Sequence, residues 1–289
     1  MDSFLDGGQV VIQRLRDRRG LGVESVSSSH RPQAGMTVST TLDRSIQHAA
    51  ERALDGIVER HAPKAAFAVV VDVKTGDIIA LANRPGFNPN ALGTDPAPRR
   101  NHAVQDAIEP GSVLKPFTIA AAIEEGILGE HTPVDCEGGA YYIGRTRIRD
   151  DHPHNVVTAT EVLKYSSNIG SAKQALAIGA PRFMRYMKDF GFGERTGVGL
   201  PGERSGRLRR ADKIRPIELA TTSYGQGMTS TGLQLAMATA AIANDGVLMK
   251  PRLVTQVTDA DGLPAWTMAP TPVRRVISSE TARLSLIHI

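Results

Sequence analysis

The sequence has 289 residues, of which 41% are hydrophobic, 22% charged and 4% aromatic, which predicts a globular protein and excludes a disordered or fibrous chain. The longest apolar stretches, around Ile119–Ile123 and Leu235–Ala243, are far shorter than the roughly 20 residues of a membrane span. One cysteine, Cys136, excludes an internal disulfide and a cysteine-based zinc site.

The formal net charge of +4 is unevenly distributed, because basic residues exceed acidic ones mainly between residues 181 and 215. No series of aromatic residues and no nucleic-acid motif accompanies this segment. Such a run is typical of a solvated surface. We therefore predict no nucleic-acid partner.

Residues 1–34 are polar, rich in serine towards their end and without strong periodicity, so they are predicted to be a linker or the remnant of a preceding domain. Residues 35–289 are predicted to form one domain. A strand is expected over Met36–Leu42, and Asp43 then caps a helix through about Arg60. The apolar stripe of this helix comprises Ile46, Ala49, Ala50, Ala53, Leu54, Ile57 and Val58.

The next two apolar runs, Ala66–Asp72 and Asp77–Ala82, are joined by a short polar turn and predict an antiparallel hairpin. Strands are expected again from Arg252 onward. This order favours an α+β fold with an antiparallel sheet flanked by helices. The helices predicted between the two strand regions are Val113–Glu125, Ala159–Ala177, Arg182–Phe190 and Thr231–Asn244.

The start of the first of these helices carries a serine and a lysine three positions apart. Ser112 is an N-cap candidate, and Pro116 is tolerated because it lies in the first turn. Side chains at this spacing share one face of a helix, so Ser112 and Lys115 are predicted to lie within hydrogen-bonding range. In the alternative interpretation, Ser112 only caps the helix and the Lys115 side chain extends into solvent.

This pairing has a chemical use. A serine hydroxyl becomes a good nucleophile when a neighbouring base removes its proton. A lysine serves as that base when its pKa falls well below the usual value of about 10.4. The apolar sequence after Lys115 predicts a buried helix, which would supply the necessary desolvation.

A second polar element places Ser166 and Asn168 two residues apart on a turn between apolar helical segments. Its hydroxyl could relay a proton, and its amide could bind a peptide carbonyl or hold the lysine. The same residue types also occur at ordinary helix junctions.

Together these elements resemble the transpeptidase domain of class B penicillin-binding proteins of the division-specific FtsI type. The similarity runs from about Arg18 to the end of the sequence. It is carried by Asp72-Val-Lys-Thr-Gly-Asp, Phe87-Asn-Pro-Asn, Arg100-Asn-His-Ala-Val, Glu109-Pro-Gly-Ser-Val-Leu-Lys-Pro-Phe, Tyr165-Ser-Ser-Asn-Ile-Gly, Phe190-Gly-Phe-Gly, Thr196-Gly-Val-Gly-Leu-Pro-Gly-Glu and Ser223-Tyr-Gly-Gln-Gly.

The resemblance implies a penicillin-binding, serine β-lactamase-like fold in which Ser112 is the acylated nucleophile and Lys115 its general base, with Ser166 and Asn168 as the second motif. The implied reaction cross-links peptidoglycan stem peptides that end in D-Ala-D-Ala, in septal cell wall synthesis, and β-lactams would acylate the same serine. It implies no cofactor and no metal. For the full-length protein it implies an inner-membrane anchor, a periplasmic domain and membrane proteins of the division complex as partners.

The third motif of this family, Lys-Thr/Ser-Gly on a strand after the second motif, does not occur after Asn168. Lys74-Thr75-Gly76 precedes Ser112 and is predicted to be the hairpin turn. The segment from Arg195 to Gly197 is likewise interpreted as a turn.

We therefore expect the sequence to lack the last strands of the family's sheet, which would leave the hairpin with an unpaired edge and the Ser112 helix with one uncovered face. The expected consequences are poor solubility or dimerisation, and little or no turnover.

Three alternatives stay open. A serine β-lactamase would need a base for water, for which Glu161, Glu137 or Asp150 could be proposed. The segment from Asp150 to His154 could bind a metal, although a polar surface loop explains it equally well. A penicillin-recognising sensor or division scaffold without catalysis is the third alternative.

Overall fold

The computed structural model describes residues 5, 13–16, 22–26, 35–129 and 131–288. They fall into two units, one within Met1–Thr41 and Arg252–Ala269 and the other within Leu42–Pro251 and Pro270–Ile289. Residues 252–269 were predicted to belong to the same domain as the rest of residues 35–289, whereas the structure places them in the first unit. Most of the predicted linker, 1–34, lies outside the described residues.

The strands are, in chain order, β1 (Gln13–Arg16), β2 (Gly22–Val26), β3 (Thr37–Thr40), β4 (Ala66–Val71), β5 (Ile78–Arg84), β6 (Val134–Asp135), β7 (Ala140–Ile143), β8 (Thr146–Arg149), β9 (Val156–Val157), β10 (Val247–Met249), β11 (Val254–Thr258), β12 (Pro264–Thr267) and β13 (Pro272–Arg275). The helices are α1 (Arg44–His61), α2 (His102–Gln105), α3 (Lys115–Glu124), α4 (Ala159–Lys164), α5 (Asn168–Ile178), α6 (Ala180–Asp189), α7 (Pro216–Ser223), α8 (Gly232–Ala243) and α9 (Ser279–His288). All strand pairs within the described ranges are antiparallel, so the α+β prediction is confirmed.

The first unit contains a three-stranded sheet in the order β12-β11-β3. Val257 in its central strand lies opposite Val38 on one side and Trp266 on the other. Strands β1 and β2, which the sequence did not predict, pair with each other. The strands expected from Arg252 onward are thus present, although β10 and β13 pair in the second unit.

Helix α1 begins where the sequence predicted, because Asp43 Oδ1 accepts hydrogen bonds from the backbone N–H groups of Ser45 and Ile46. The apolar stripe of α1 is only partly buried. Leu54 is buried, whereas Ile46 and Ile57 are 41% and 39% exposed. The rest of the stripe consists of exposed Ala49 and Ala53 and half-buried Ala50 and Val58.

The buried face of α1 is turned towards strand β5 by a polar residue. Gln47 Oε1 accepts from the Leu81 N–H at 2.8 Å, and Gln47 Nε2 donates to the Leu81 carbonyl at 3.3 Å. A side chain that bonds strand backbone in this way brings its own face of the helix inward. Apolar periodicity alone therefore misplaced the contact face by part of a turn.

Strands β4 and β5 form the predicted hairpin, with Val69 opposite Leu81. Helices α1, α2 and α8 pack on this hairpin. Within the described residues the sheet has these two strands alone, so each has one edge without a strand partner.

Helix α3 lies in the core of the second unit, surrounded by α4, α5, α6 and α9. Residues 115 and 117–122 are all buried, and Phe117 packs against Phe190 and Phe192 with ring centroids 5.1 and 5.3 Å apart. The expectation that this helix has an uncovered face is therefore wrong. Helix α9 covers part of it, and Glu124 at the end of α3 accepts hydrogen bonds from the Ser278 N–H and hydroxyl, just before α9.

The basic segment between residues 181 and 215 is a surface with local ion pairs. The ion pairs of the basic segment join Arg182 and Arg185 to Glu125, Lys188 to Glu194, Arg209 and Arg215 to Glu218, and Arg210 to Asp212.

Within the described residues, none of the helices has the length and apolar character that crossing a membrane requires.

Candidate active site

Ser112 lies on an exposed 3₁₀ turn, Gly111–Leu114, that leads directly into α3. Pro116 occupies the first turn of α3, as predicted. The prediction that Ser112 caps the α-helix is wrong, because the extra turn moves the N-cap position to Leu114, where no side chain makes a capping bond. The Ser112 hydroxyl is therefore available for a different partner.

Lys115 is the first residue of α3, and it is only 1% exposed. Its Nζ donates to the backbone carbonyl of Ser166 and, at 2.9 Å, to Ser166 Oγ. The sequence predicted a direct contact with Ser112. The structure instead inserts the second serine between the lysine and the first.

Ser166 completes the connection, because its Oγ donates to Ser112 Oγ at 3.0 Å. Lys115 Nζ, Ser166 Oγ and Ser112 Oγ thus form one continuous hydrogen-bonded series. Ser166 lies between α4 and α5 with a φ of +55°, the left-handed region that costs a non-glycine residue roughly 1–2 kcal/mol. This conformation interrupts the single helix predicted over Ala159–Ala177 and allows the Ser166 carbonyl and hydroxyl both to meet the ammonium.

The lysine is electrostatically suited to accept a proton. Burial lowers the pKa of the Lys115 ammonium from 10.5 to about 8, while attraction to the carboxylates of Asp150 and Asp151 opposes part of this change. At such a pKa about one tenth of the side chain is neutral at pH 7, and this fraction can act as a general base.

Asn168 is the first residue of α5, two positions after Ser166. Its Nδ2 donates to the Arg149 carbonyl at 2.9 Å. The alternative that the amide holds the lysine is wrong, since Ser166 makes the hydrogen bonds to Lys115. In the described part of the chain, the carboxamide oxygen of Asn168 accepts no hydrogen bond, which leaves it available for a ligand.

Asp150 anchors the turn that carries these residues. Its Oδ1 accepts from the backbone N–H groups of Asn168 at 2.6 Å and Ile169 at 3.0 Å, and its Oδ2 accepts from the Ser167 hydroxyl at 2.6 Å. The Ser167 hydroxyl in turn accepts from the N–H of Gly170. From the sequence, Asp150 was a candidate only for a metal ligand or a base for water, because nothing in the local pattern indicates a contact 18 residues away.

The other carboxylates considered for a β-lactamase are also committed to structural partners. Glu161 forms a capping box with Thr158 at the start of α4. Glu137 pairs with Lys173 at 2.7 Å. These two carboxylates thus stabilise helix α4 and the surface of α5.

The segment from Asp150 to His154 is the candidate for a metal. His154 stacks on the Tyr165 ring with centroids 4.2 Å apart, next to Ser166. In the ranges that the structure describes, no group of three or more histidine, cysteine, aspartate or glutamate side chains is placed to hold a metal ion.

The tripeptides that could substitute for a third motif lie in turns. Lys74 and Thr75 donate their N–H groups to Asp72 between β4 and β5, and Lys74 Nζ pairs with Asp245 at 3.1 Å. Thr196 is held through its N–H and hydroxyl by Glu203. Neither takes part in the hydrogen-bonded series at Ser112.

A glycine supports the Ser112 turn from behind, a role that sequence reasoning missed. Gly225 accepts a backbone hydrogen bond from Gly111 at 3.2 Å and has a φ of +80°. A Cβ at this position would overlap the backbone of Gly111. The motif that begins at Ser223 pointed to this loop, but its packing could not be derived from spacing.

Residues 66–285 match a family described as the penicillin binding protein transpeptidase domain. The chain is 38% identical over 281 residues to a probable peptidoglycan D,D-transpeptidase PenA of Neisseria gonorrhoeae, covering 96% of this chain and 46% of that protein. It is 33% identical over 291 residues to the peptidoglycan D,D-transpeptidase FtsI of Escherichia coli strain K12, covering 100% of this chain and 47% of that protein. The chain therefore spans about half the length of these curated relatives.

Among solved structures, the apo TP domain of penicillin-binding protein 3 from Burkholderia pseudomallei is similar with a TM-score of 0.75 at 33% identity. That match covers 86% of this chain and 68% of the other. The similarity to these proteins thus extends to both sequence and fold.

Proposed function

The chain belongs to the class B penicillin-binding protein transpeptidases of the FtsI type, and we propose that it carries a serine acyl-transfer site at Ser112. The observation that supports this proposal best is the hydrogen-bonded series from Lys115 Nζ through Ser166 Oγ to Ser112 Oγ. It joins an exposed hydroxyl to a buried amine of lowered pKa. That combination is what activation of a serine nucleophile requires.

In the proposed first step, neutral Lys115 takes the Ser112 proton by way of Ser166 Oγ. Ser112 Oγ then forms a bond to the carbonyl carbon of a substrate. The peptide bond to the leaving amine breaks, and Ser166 or Lys115 returns a proton to that amine. Because the lysine is charged only after it has accepted the proton, its burial favours release of that proton to the leaving group.

The proposed acyl donor is a peptidoglycan stem peptide ending in D-Ala-D-Ala, from which the terminal D-Ala departs. An amine of a neighbouring stem peptide then attacks the ester, which forms the cross-link and restores the Ser112 hydroxyl. A β-lactam would open its ring on the same oxygen. The free carboxamide oxygen of Asn168 would accept a hydrogen bond from a substrate N–H.

The proposed setting is taken from the family to which the chain belongs. The proposed role is septal wall synthesis on the periplasmic side of the membrane that anchors the full-length protein, with membrane proteins of the division complex as partners.

Mass spectrometry of the chain after long incubation with excess fluorescent penicillin tests the proposal. We expect an adduct at less than one per chain, confined to the peptide that contains Ser112. Ser112→Ala removes it, and the matched control Ser45→Ala, at an exposed serine of α1, retains it. Equal labelling of wild type and Ser112→Ala would refute the assignment.

The same experiment separates the alternatives. An adduct that disappears within minutes after excess penicillin is removed would indicate a β-lactamase. A scaffold would keep its partners and its cellular role when Ser112 becomes alanine, whereas an acyltransferase would lose both the label and the cross-linking.

A further inference from the structure

Asp150 lies directly after strand β8 and faces the N-terminus of α5. Its two carboxylate oxygens accept three hydrogen bonds from the first residues of that helix, Ser167, Asn168 and Ile169. The preceding residue of β8, Arg149, adds a fourth contact through its carbonyl to Asn168. The end of strand β8 therefore fixes the position of the N-terminus of α5 through four hydrogen bonds.

This contact reaches the reacting groups through one peptide bond. Ser166 immediately precedes the anchored residues, and in its left-handed conformation both its carbonyl and its hydroxyl accept hydrogen bonds from Lys115. Because the backbone from Ser167 onward is fixed by Asp150, rotation of the Ser166 turn would require breaking the carboxylate bonds. Loss of the anchor should therefore displace the hydroxyl that connects Lys115 to Ser112.

The charge of Asp150 acts on the same site. Attraction to Asp150 and, more weakly, to Asp151 favours the Lys115 ammonium and opposes the effect of burial on its pKa. Asp151 is exposed and, in the described ranges, makes no hydrogen bond to α5. The two neighbouring carboxylates thus differ in anchoring while sharing their electrostatic effect.

Other titratable groups also surround the anchor. The Cys136 thiol, 3.3 Å from Ser167 Oγ, has its pKa raised by burial and also by Asp150 and Asp135, and Lys173 acts in the opposite direction. These residues, together with His152 and His154 of the same loop, are all retained in a variant at Asp150 alone. A matched pair of variants at 150 and 151 therefore isolates the anchor.

Building on the acyl-transfer function proposed above, we propose that Asp150 is a positioning residue, whose carboxylate fixes the Ser166 turn and whose negative charge stabilises the Lys115 ammonium. Asp150 itself does not touch the reacting atoms. It determines where the connecting hydroxyl lies and at what pH the lysine becomes a base.

Three variants separate geometry from charge. Asp150→Asn keeps an oxygen for the N–H groups of Asn168 and Ile169 and can donate its amide to Ser167 Oγ, so it removes the charge and retains the anchor. Asp150→Ala removes both. Asp151→Asn is the control that removes a nearby charge without changing any bond to α5.

Two measurements do not depend on activity. In protein labelled with ¹³C-lysine, the Lys115 signal, assigned with Lys115→Met, should titrate near pH 8 in wild type and at lower pH in Asp150→Asn, with a smaller decrease in Asp151→Asn. Amide hydrogen exchange at Asn168 and Ile169 should accelerate at least about tenfold in Asp150→Ala and little in Asp150→Asn, because only the first variant loses the acceptor.

Acylation supplies the third measurement. Asp150→Ala should lose about 100-fold of the maximal rate of Ser112 acylation, since the connecting serine is displaced, and its pH profile should also shift to lower pH because the charge is lost. Asp150→Asn should retain the maximal rate and reach half of it at lower pH than wild type. If Asp150 had only a structural role, the pH of half-maximal acylation would be the same in Asp150→Asn as in wild type.

Unchanged Lys115 titration in Asp150→Asn, or unchanged amide exchange in Asp150→Ala, would overturn the inference. If wild type forms no Ser112 adduct while titration and exchange respond as stated, the proposed function fails and the anchoring role stands. If wild type is acylated but both Asp150 variants match it in rate and pH dependence, the inference fails and the proposed function stands.

Discussion

The rate of Ser112 acylation should rise about tenfold between pH 7 and pH 9 and then level off. With a pKa of about 8, Lys115 is about one tenth neutral at pH 7 and about nine tenths neutral at pH 9. A solvated lysine with a pKa of about 10.4 would instead give about a hundredfold rise over the same interval, without levelling off. The shape of the profile therefore reports whether the base is the buried amine.

The assay is single-turnover acylation with excess fluorescent penicillin between pH 6 and pH 10, in which the adduct on the Ser112 peptide is quantified by mass spectrometry. Counting the adduct excludes alkaline hydrolysis of the free lactam from the rate. Ser112→Ala gives the background, and circular dichroism at each pH verifies that the fold persists. A rate that is constant from pH 7 to pH 9, or one that is still rising tenfold per unit at pH 9, would refute the reasoning.

Ser166→Ala should lower the acylation rate about 100-fold, because the proton route is broken, while the unfolding temperature changes little; an unaffected rate would show that the lysine reaches Ser112 by another path. Lys115→Met should abolish acylation and raise thermal stability at pH 7. Folding lowers the Lys115 pKa from 10.5 to about 8, so below about pH 8 burial of the ammonium destabilises the fold by about 3 kcal/mol. The two hydrogen bonds of Lys115 to Ser166 offset about 1 kcal/mol each. This penalty disappears as the pH rises from about 8 to 10.5, so the gain of Lys115→Met in calorimetry should shrink over that range; a gain independent of pH would contradict the linkage. Gly225→Ala should lower the unfolding temperature and the acylation rate together, because its Cβ would overlap Gly111 beside Ser112; wild-type values for both would show that the turn can adjust.

Local sequence signals predicted the residues of the site better than their contacts. The run after Lys115 identified a buried helix, and Pro116 marked its first turn. The bridge by Ser166 was not predictable from spacing, because it joins residues 54 positions apart and depends on one left-handed residue. The resemblance to a known family pointed to Ser166, and only the fold gives its contacts.

The same limit applies to the scaffold. Asp43 identified the start of α1 correctly because capping is a local interaction. Gln47 determined which face of α1 packs inward through hydrogen bonds to strand β5, and periodicity cannot detect such a contact. Asp150 was missed for the same reason, since its partners belong to a helix that starts 18 residues later.

Ser112 stands on an exposed turn, whereas the amine that activates it is 1% exposed. Reagents that modify amines would react with surface lysines and not with Lys115. Covalent ligands should therefore bind this site through the Ser112 hydroxyl. Dissolved ions screen charges in solvent far more than buried ones. Proton transfer to Lys115 should consequently depend less on ionic strength than it would with a solvent-exposed amine, even though the oxygen that it activates is exposed.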